Sequence, residues 1–182
     1  MTVAAILFAL FCCLYGSTVR AGEDAYNGAS RLALVQSIVE EKTLAIDHSL
    51  YAAMTKDKAY VHGHYYSNKA PGMSVAAAPI YWILYHRGIS FRANRPLAER
   101  LLKIRFAVLT ALTPAVFYLL GGYFASGRTP RLLASLALGA GTGLFVYAGV
   151  FASHAVVATL LTISLFSVCK AEKNSDWLWC QG

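Results

Sequence analysis

The stretch FAVLTALTPAVFYLLGGYF, residues 106–124, carries no charged side chain along its nineteen positions. Crossing the hydrocarbon of a bilayer as a helix takes about 17–25 apolar residues, so this run reads as a membrane span. Outward from it, TVAAILFALFCCLYGSTV (2–19) and LLASLALGAGTGLFVYAGVF (132–151) have the same character. A shorter run, AVVATLLTISLFSV (155–168), is set off from its predecessor mainly by Ser153-His154. The composition agrees: 57% of residues are hydrophobic, 14% are charged and the mean hydropathy is +0.50. The apolar residues fall in runs and not in an alternating or amphipathic pattern, which marks a membrane protein. The expected fold class is all-α, a single polytopic membrane domain with about four transmembrane helices.

A fifth apolar run, 73–85, is short for a span and reads as an interfacial or re-entrant helix; it crosses only if tilted neighbours thin the bilayer around it. No Lys or Arg precedes the first run, so that run reads as an uncleaved span in preference to a signal peptide. Short loops rich in Lys and Arg tend to stay in the cytoplasm. Arg128 and Arg131 between the second and third spans, and Lys170 and Lys173 after the fourth, then place the amino terminus inside and residues 20–105 outside. The basic stretch Arg87, Arg92, Arg95, Arg100, Lys103 and Arg105 argues for the opposite placement. Long loops obey the charge rule poorly, and the four-span arrangement is preferred.

The formal charge of +7 is scattered between the runs without a recognition motif, so no nucleic-acid partner is expected. Cys12, Cys13 and Cys169 fall at membrane depth and Cys180 outside it, which is no disulfide framework. His62 and His64 lack a third ligand nearby, and no metal or other cofactor is assigned, although the sequence leaves divalent-metal dependence open.

Within the outer segment, Leu32, Val35, Ile38 and Val39 recur at helical spacing with Arg31, Gln36, Glu40 and Glu41 between them, which predicts an amphipathic helix over about 27–40 lying along the membrane surface. Asn27 is the expected cap, and the acidic pair Glu23 and Asp24 lies just upstream, where a helix dipole favours negative charge. These acids read either as helix-end solvation or as a catalytic carboxylate at the lip of the bilayer. Residues 43–62 read as a solvated loop. Next comes Gly63-His64-Tyr65-Tyr66-Ser67-Asn68-Lys69-Ala70-Pro71-Gly72, in which Pro71 suits the first turn of a helix over about 71–85. Lys69 would stand just ahead of that helix, where a cation and free N–H groups together can cradle a phosphate. Taken alone, the same residues read equally as a snorkelling lysine and an aromatic interface belt.

The order of these motifs carries a resemblance. Asn27-x-x-Ser30-Arg31-Leu32-Ala33-Leu34, then Glu41-Lys42-Thr43-Leu44-Ala45-Ile46-Asp47, then Thr55-Lys56-Asp57-Lys58-Ala59 and the loop ending Tyr66-Ser67-Asn68-Lys69-Ala70-Pro71 resemble the amino-terminal part of GT-C type integral-membrane glycosyltransferases. That group uses polyprenyl-phosphate-linked sugars and includes the RgtA/B/C/D-like family, aminoarabinose transferases and protein O-mannosyltransferases. The resemblance covers about 21–155. It implies two juxtamembrane helices in the first outer loop and a polyprenyl-phosphate-linked sugar as partner, in the inner or plasma membrane of a bacterium with the active face outward. It further implies Asp24 or Glu23 as catalytic carboxylate, and a substrate-binding set of Lys69 on the carrier phosphate, Arg31, Tyr66 and His154. Related enzymes often carry an Asp-Glu pair before the tyrosine, whereas this chain has Gly22-Glu23-Asp24-Ala25-Tyr26, which leaves the identity of the base open. His154 reads equally as an interfacial histidine beside Ser153.

Enzymes of this type need more spans than four, so the chain is expected to be an amino-terminal portion working with membrane lipid and with a partner supplying further spans. The alternatives are a non-catalytic membrane protein that binds lipid phosphate and a structural subunit, since Gly121-Gly122 and Gly139-Ala140-Gly141-Thr142-Gly143 suit close helix packing in any case. The topology has a direct test. With single cysteines at Ser90 and Ser126 in a cysteine-free background, the four-span arrangement predicts labelling from outside intact cells at position 90 only; labelling at 126 instead means that 73–85 crosses.

Overall fold

The computed structural model describes residues 2–22 and 25–179. In chain order these form α1 (Thr2–Thr18), α2 (Tyr26–Gln36) continued by a π-helical turn (Ser37–Glu41), strands β1 (Lys58–Val61) and β2 (His64–Ser67), α3 (Gly72–His86), α4 (Phe91–Thr110), α5 (Leu112–Leu120) with a 3-10 turn (Gly121–Tyr123), α6 (Arg128–Gly141), α7 (Gly143–Ala148) and α8 (Ser153–Trp179). The chain is mostly helical. It divides into two compact units, an apolar one of Met1–Thr18, Phe106–Gly149 and Ser153–Gly182, and a loop unit of Val19–Arg105 with Val150–Ala152.

In the apolar unit α5 is the hub, packing on α8, α1 and α6. Its Thr113 hydroxyl meets that of Thr159 on α8 at 2.8 Å in a fully buried pair. Thr159 also donates to the Ala155 carbonyl at 2.9 Å, so no polar group is stranded by that contact. On α1, Leu7, Phe11 and Tyr15 are buried at four-residue spacing, the stripe a helix presents to one neighbour. The Tyr15 hydroxyl donates to the Gly139 carbonyl at 2.8 Å, and the absence of a side chain on Gly139 is what lets the Phe11 ring lie against α6.

Two helical stretches, Phe91–Tyr123 and Ser153–Lys173, are long and apolar enough to cross a membrane. The apolar α1, with 17 residues, is shorter. Several boundaries differ from the sequence reading: α6 begins at Arg128 and α8 runs on to Trp179. Helix also begins well ahead of 106, from Phe91 with a kink at Asn94 (φ −148°, ψ 76°), and beyond the kink Ala98 and Leu102 form a buried stripe among the charged residues. The run 132–151 is not one helix: the backbone turns extended at Thr142 (φ −122°, ψ 176°), which ends α6 and caps α7 through its hydroxyl, 3.2 Å from the Leu144 N–H.

In the loop unit α2 is central, not superficial. Every residue from Gly28 to Gln36 is buried, because α3 packs against it and strand β2 approaches it as well. The expected amphipathic surface helix is thus a core helix, in which Ser30 and Gln36 find side-chain partners inside the unit. Ala25, not Asn27, takes the N-cap position, and the Asn27 carbonyl instead accepts from Arg31 Nη1 at 3.3 Å. The all-α expectation misses an antiparallel hairpin in the segment read as loop, with register Lys58↔Ser67, Ala59↔Tyr66, Tyr60↔Tyr65 and Val61↔His64. His62 (φ 49°) and Gly63 (φ 89°) make its turn with two positive φ values, the conformation that matches strand twist in tight hairpins.

A methyl group at Gly139 would overlap the Phe11 ring, which is itself buried and cannot swing into solvent. Gly139→Ala should therefore destabilise the apolar unit by about 1–3 kcal/mol, read as a lowered thermal midpoint in detergent, and Phe11→Ala introduced with it should recover part of that loss.

Candidate functional site

The junction between β2 and α3 holds the most closely connected group of candidate residues. Lys69 Nζ lies 3.3 Å from Asp57 Oδ2, with both side chains about a quarter exposed. Asp57 is fixed by its backbone: its N–H donates to Thr55 Oγ1 at 3.0 Å, and its carbonyl accepts from Ser30 Oγ at 2.6 Å and from the Asn68 N–H at 3.4 Å. Ser30 Oγ is also 2.7 Å from Ser67 Oγ, which accepts the Lys69 N–H at 3.3 Å. One serine of α2 thereby ties the strand that ends before Lys69 to the loop that carries its counter-ion. The short side chains are needed because larger ones would separate α2 from the hairpin.

Arg31, the next residue of α2, is buried, and its carbonyl accepts from Ser74 Oγ in the first turn of α3 at 3.1 Å. Helix α3 starts immediately after Pro71, whose carbonyl receives its first helical bond from Val75 N–H at 2.9 Å. The N–H groups of Gly72, Met73 and Ser74 lie ahead of that bond, the positive end of the helix dipole. Tyr66 sits in β2 opposite Ala59 and bridges to Ala45, a framework position in the sheet. Glu23 and Asp24 lie outside the described residues. His154 belongs to the apolar unit, where its ring stands 4.6 Å from that of Tyr147.

The chain leading to the acidic pair is held by charges that the sequence reading did not single out. Glu99 is fully buried. Its Oε2 accepts the Gly22 N–H at 2.6 Å, and its Oε1 accepts the Tyr51 hydroxyl at 2.7 Å and lies 3.3 Å from Arg95 Nε. Lys103, also buried, donates to the Gly22 carbonyl at 2.6 Å and to that of Arg20 at 3.4 Å. Both backbone groups of one glycine are gripped by side chains a helical turn apart. Gly22 has φ +96°, a conformation in which a side chain would be strained. Burial, and then the bond to Glu99, push the Tyr51 hydroxyl well above its ordinary range, so it stays a donor. The signal for this cluster was in the sequence: Glu99 and Lys103 stand four apart among Leu97, Ala98, Leu101 and Leu102.

A second network surrounds the π-helical turn. Arg92 Nε is 3.0 Å from Glu40 Oε2 and its Nη2 is 2.9 Å from Glu41 Oε1, while the Tyr81 hydroxyl donates to Glu40 and accepts the Phe91 N–H at 2.7 Å. Gln36 joins it, donating to Glu40 at 2.9 Å and accepting from Ser49 and Leu50 at 2.8 and 2.9 Å. Every side chain in this group has an opposite charge or a hydrogen-bond partner, which marks a structural lock joining α2, α3 and α4. Of the His62 and His64 pair, His64 turns to Asp47, its Nδ1 3.1 Å from Oδ2. Among the described residues no group of three or more His, Cys, Asp or Glu side chains is arranged to hold a metal ion.

Chemically, the β2–α3 junction sets an ammonium group, paired with Asp57, just ahead of a helix amino terminus, and the two serine hydroxyls are spent on holding that arrangement. Comparison of the chain with protein-family models, with curated proteins and with solved structures finds no match.

Asp47 accepts the Tyr65 N–H at 3.0 Å, and this bond first, with His64 next, holds its carboxyl below the ordinary range. A depressed carboxylate stabilises the docked hairpin above its unfolded value, about 3.9, and that stabilisation is lost as pH falls through the lower folded value. The protection factor of the Tyr65 amide should therefore hold from neutrality down to about pH 4 and drop on further acidification. Asp47→Asn should lower it at neutral pH and flatten its acid dependence; unchanged protection in the variant rejects the role.

Proposed function

We propose that the chain is the amino-terminal part of a membrane glycosyltransferase that moves a sugar from a polyprenyl-phosphate carrier to an acceptor on the outer face of a bacterial inner or plasma membrane. The observation that carries this reading is the setting of Lys69: a partly exposed ammonium group immediately ahead of the α3 amino terminus. A cation and the N–H groups of a helix terminus are the groups that stabilise a departing phosphate. The motif order set out above supplies the identity of the carrier.

In the membrane, the proposal has four crossings: α1, the α4–α5 stretch, the α6–α7 pair and α8. At 1.5 Å per residue, the 17 residues of α1 extend about 26 Å and the 27 of α8 about 40 Å, against a hydrocarbon core of about 30 Å. The amino terminus is inside, and the loop unit is outside with its Lys69 junction at the headgroup level.

The reaction is an inverting displacement. A carboxylate, Asp24 or Glu23, takes the proton of the acceptor hydroxyl as that oxygen attacks the anomeric carbon, and the bond from that carbon to the carrier phosphate breaks with its electron pair passing to the phosphate. Lys69, with Arg31, meets the charge that develops there.

Lys69→Ala should weaken binding of a polyprenyl-phosphate probe by roughly tenfold or more, the value of a charge-assisted contact. It should abolish transfer in the longest product of the gene. Asp24→Asn or Glu23→Gln should abolish transfer and leave probe binding intact. Undiminished binding in Lys69→Ala sinks the phosphate site, and full transfer in both acid variants rejects the base assignment.

A further inference from the structure

The apolar unit holds a half-open cavity of about 290 Å³ between α5, α6, α7 and α8. On one wall, α8 contributes His154, Ala155, Ala158 and Thr162, a single face running about 12 Å along the helix at 1.5 Å per residue. The remaining lining comes from Thr113 and Phe117 of α5, Leu138 of α6, Thr142 at the α6–α7 break, and Leu144 and Tyr147 of α7. The volume exists for an identifiable reason: Ala155 and Ala158 leave the α8 wall bare where leucines line its other faces. The break at Thr142 then turns the backbone away where a continuous helix would have filled the gap.

Interrupted helices at membrane depth occur where the backbone is covered by protein or lines a cavity. Here the Thr142 side chain satisfies one freed group on each side of the break. Thr142 Oγ1 donates to the Leu138 carbonyl at 2.7 Å and accepts the Leu144 N–H at 3.2 Å. The cavity has mostly hydrocarbon walls. It is about twice the size of the ~150 Å³ apolar cavities that take up benzene. Its length along α8 is close to half of the ~30 Å hydrocarbon core, the depth of one leaflet. The neighbouring faces of α8 are bare and apolar, with Val157, Leu160, Leu161 and Leu165 all about half exposed or more, so the opening adjoins a surface suited to lipid.

We infer that this cavity is a binding site for one hydrocarbon chain of a bilayer phospholipid, taken from a single leaflet, with the ester end at His154 and Tyr147 and the methyl end toward Thr162. The polar atoms support that direction. The His154 and Tyr147 rings are paired at one end, where hydrogen bonds to ester carbonyls are wanted. At the other end the Thr162 hydroxyl already donates to the Ala158 carbonyl at 2.8 Å, so its proton is spent within α8. The inference rests on the membrane embedding proposed above and is independent of glycosyl transfer.

The test uses the full chain in phosphatidylcholine nanodiscs containing a trace of phosphatidylcholine with a diazirine midway along one acyl chain, crosslinks being mapped by mass spectrometry. The expected result is crosslinking at Phe117, Leu138 and Ala158 that saturates near one lipid per chain, alongside unsaturable crosslinking at Leu161 and Leu165. In Ala158→Phe and, separately, in Ala155→Leu, cavity crosslinks should fall roughly tenfold while those at Leu161 and Leu165 persist, which also reports that the helix is folded and embedded. Crosslinks at Leu161 and Leu165 with none in the cavity of the unmodified protein overturn the lipid site alone. Absence of crosslinks everywhere overturns the membrane embedding and the site with it. Displacement of the probe by a polyprenyl phosphate at equimolar concentration, and not by excess phospholipid, overturns the assignment of the occupant.

Discussion

The loop unit depends on a carboxylate with no access to water. Glu99 sits fully buried on α4 and is reached from three separate parts of the chain: the Gly22 amide, the Tyr51 hydroxyl and Arg95. A buried charge of this kind is costly to desolvate, and losing any one donor leaves the remainder uncompensated. That cost is what fixes geometry. The turn at 20–22, the irregular segment around Tyr51 and the amino-terminal half of α4 have no regular hydrogen-bond ladder in common, and this one side chain sets their spacing. Lys103, one turn further along α4, holds the same segment through the Gly22 and Arg20 carbonyls.

The Ser30 hydroxyl has a comparable role on the other side of the unit. It is the smallest group that can reach the Asp57 carbonyl and the Ser67 hydroxyl together. With Arg31 holding the first turn of α3 through its own carbonyl, α2 organises both the approach to Lys69 and the helix that follows it. The candidate anion site is built on a buried helix and not on the loop in which its lysine is found, which gives a surface cation a defined position.

What the sequence revealed, and what it concealed, divides along the same physical line. Long charge-free runs are legible because the criterion is length alone, and the helical character of 106–124 and of 155–168 follows from it. The break at Thr142 left no such mark, since Gly139-Ala140-Gly141-Thr142-Gly143 reads equally as close packing within an unbroken helix. The helix of residues 27–40 was legible as a helix but not as a buried one. Arg31, Gln36 and Glu40 looked like a solvated face, but Gln36 is buried against Ser49 and Leu50 of the loop and Glu40 against Tyr81 of α3 and Arg92 of α4. The hairpin escaped notice because its strands are only four residues long and its turn, His62-Gly63, is not among the common signals for a tight turn. Within the candidate site, Lys69 was singled out by its neighbours in sequence. Asp57 and Ser30 come to it from 12 and 39 residues away, a convergence no spacing rule conveys.

The interruption at Thr142 has a mechanical side. In an intact helix, bending at any one residue strains several ladder bonds at once, which spreads stiffness along the whole length. Here the ladder already ends at Gly141 and resumes at Gly143, and the Thr142 hydroxyl reaches back to Leu138 while capping the helix ahead. A change in the angle between α6 and α7 stretches that one side-chain link and leaves both helices intact. Compliance is thereby concentrated at a single residue, while the segments on either side remain stiff rods.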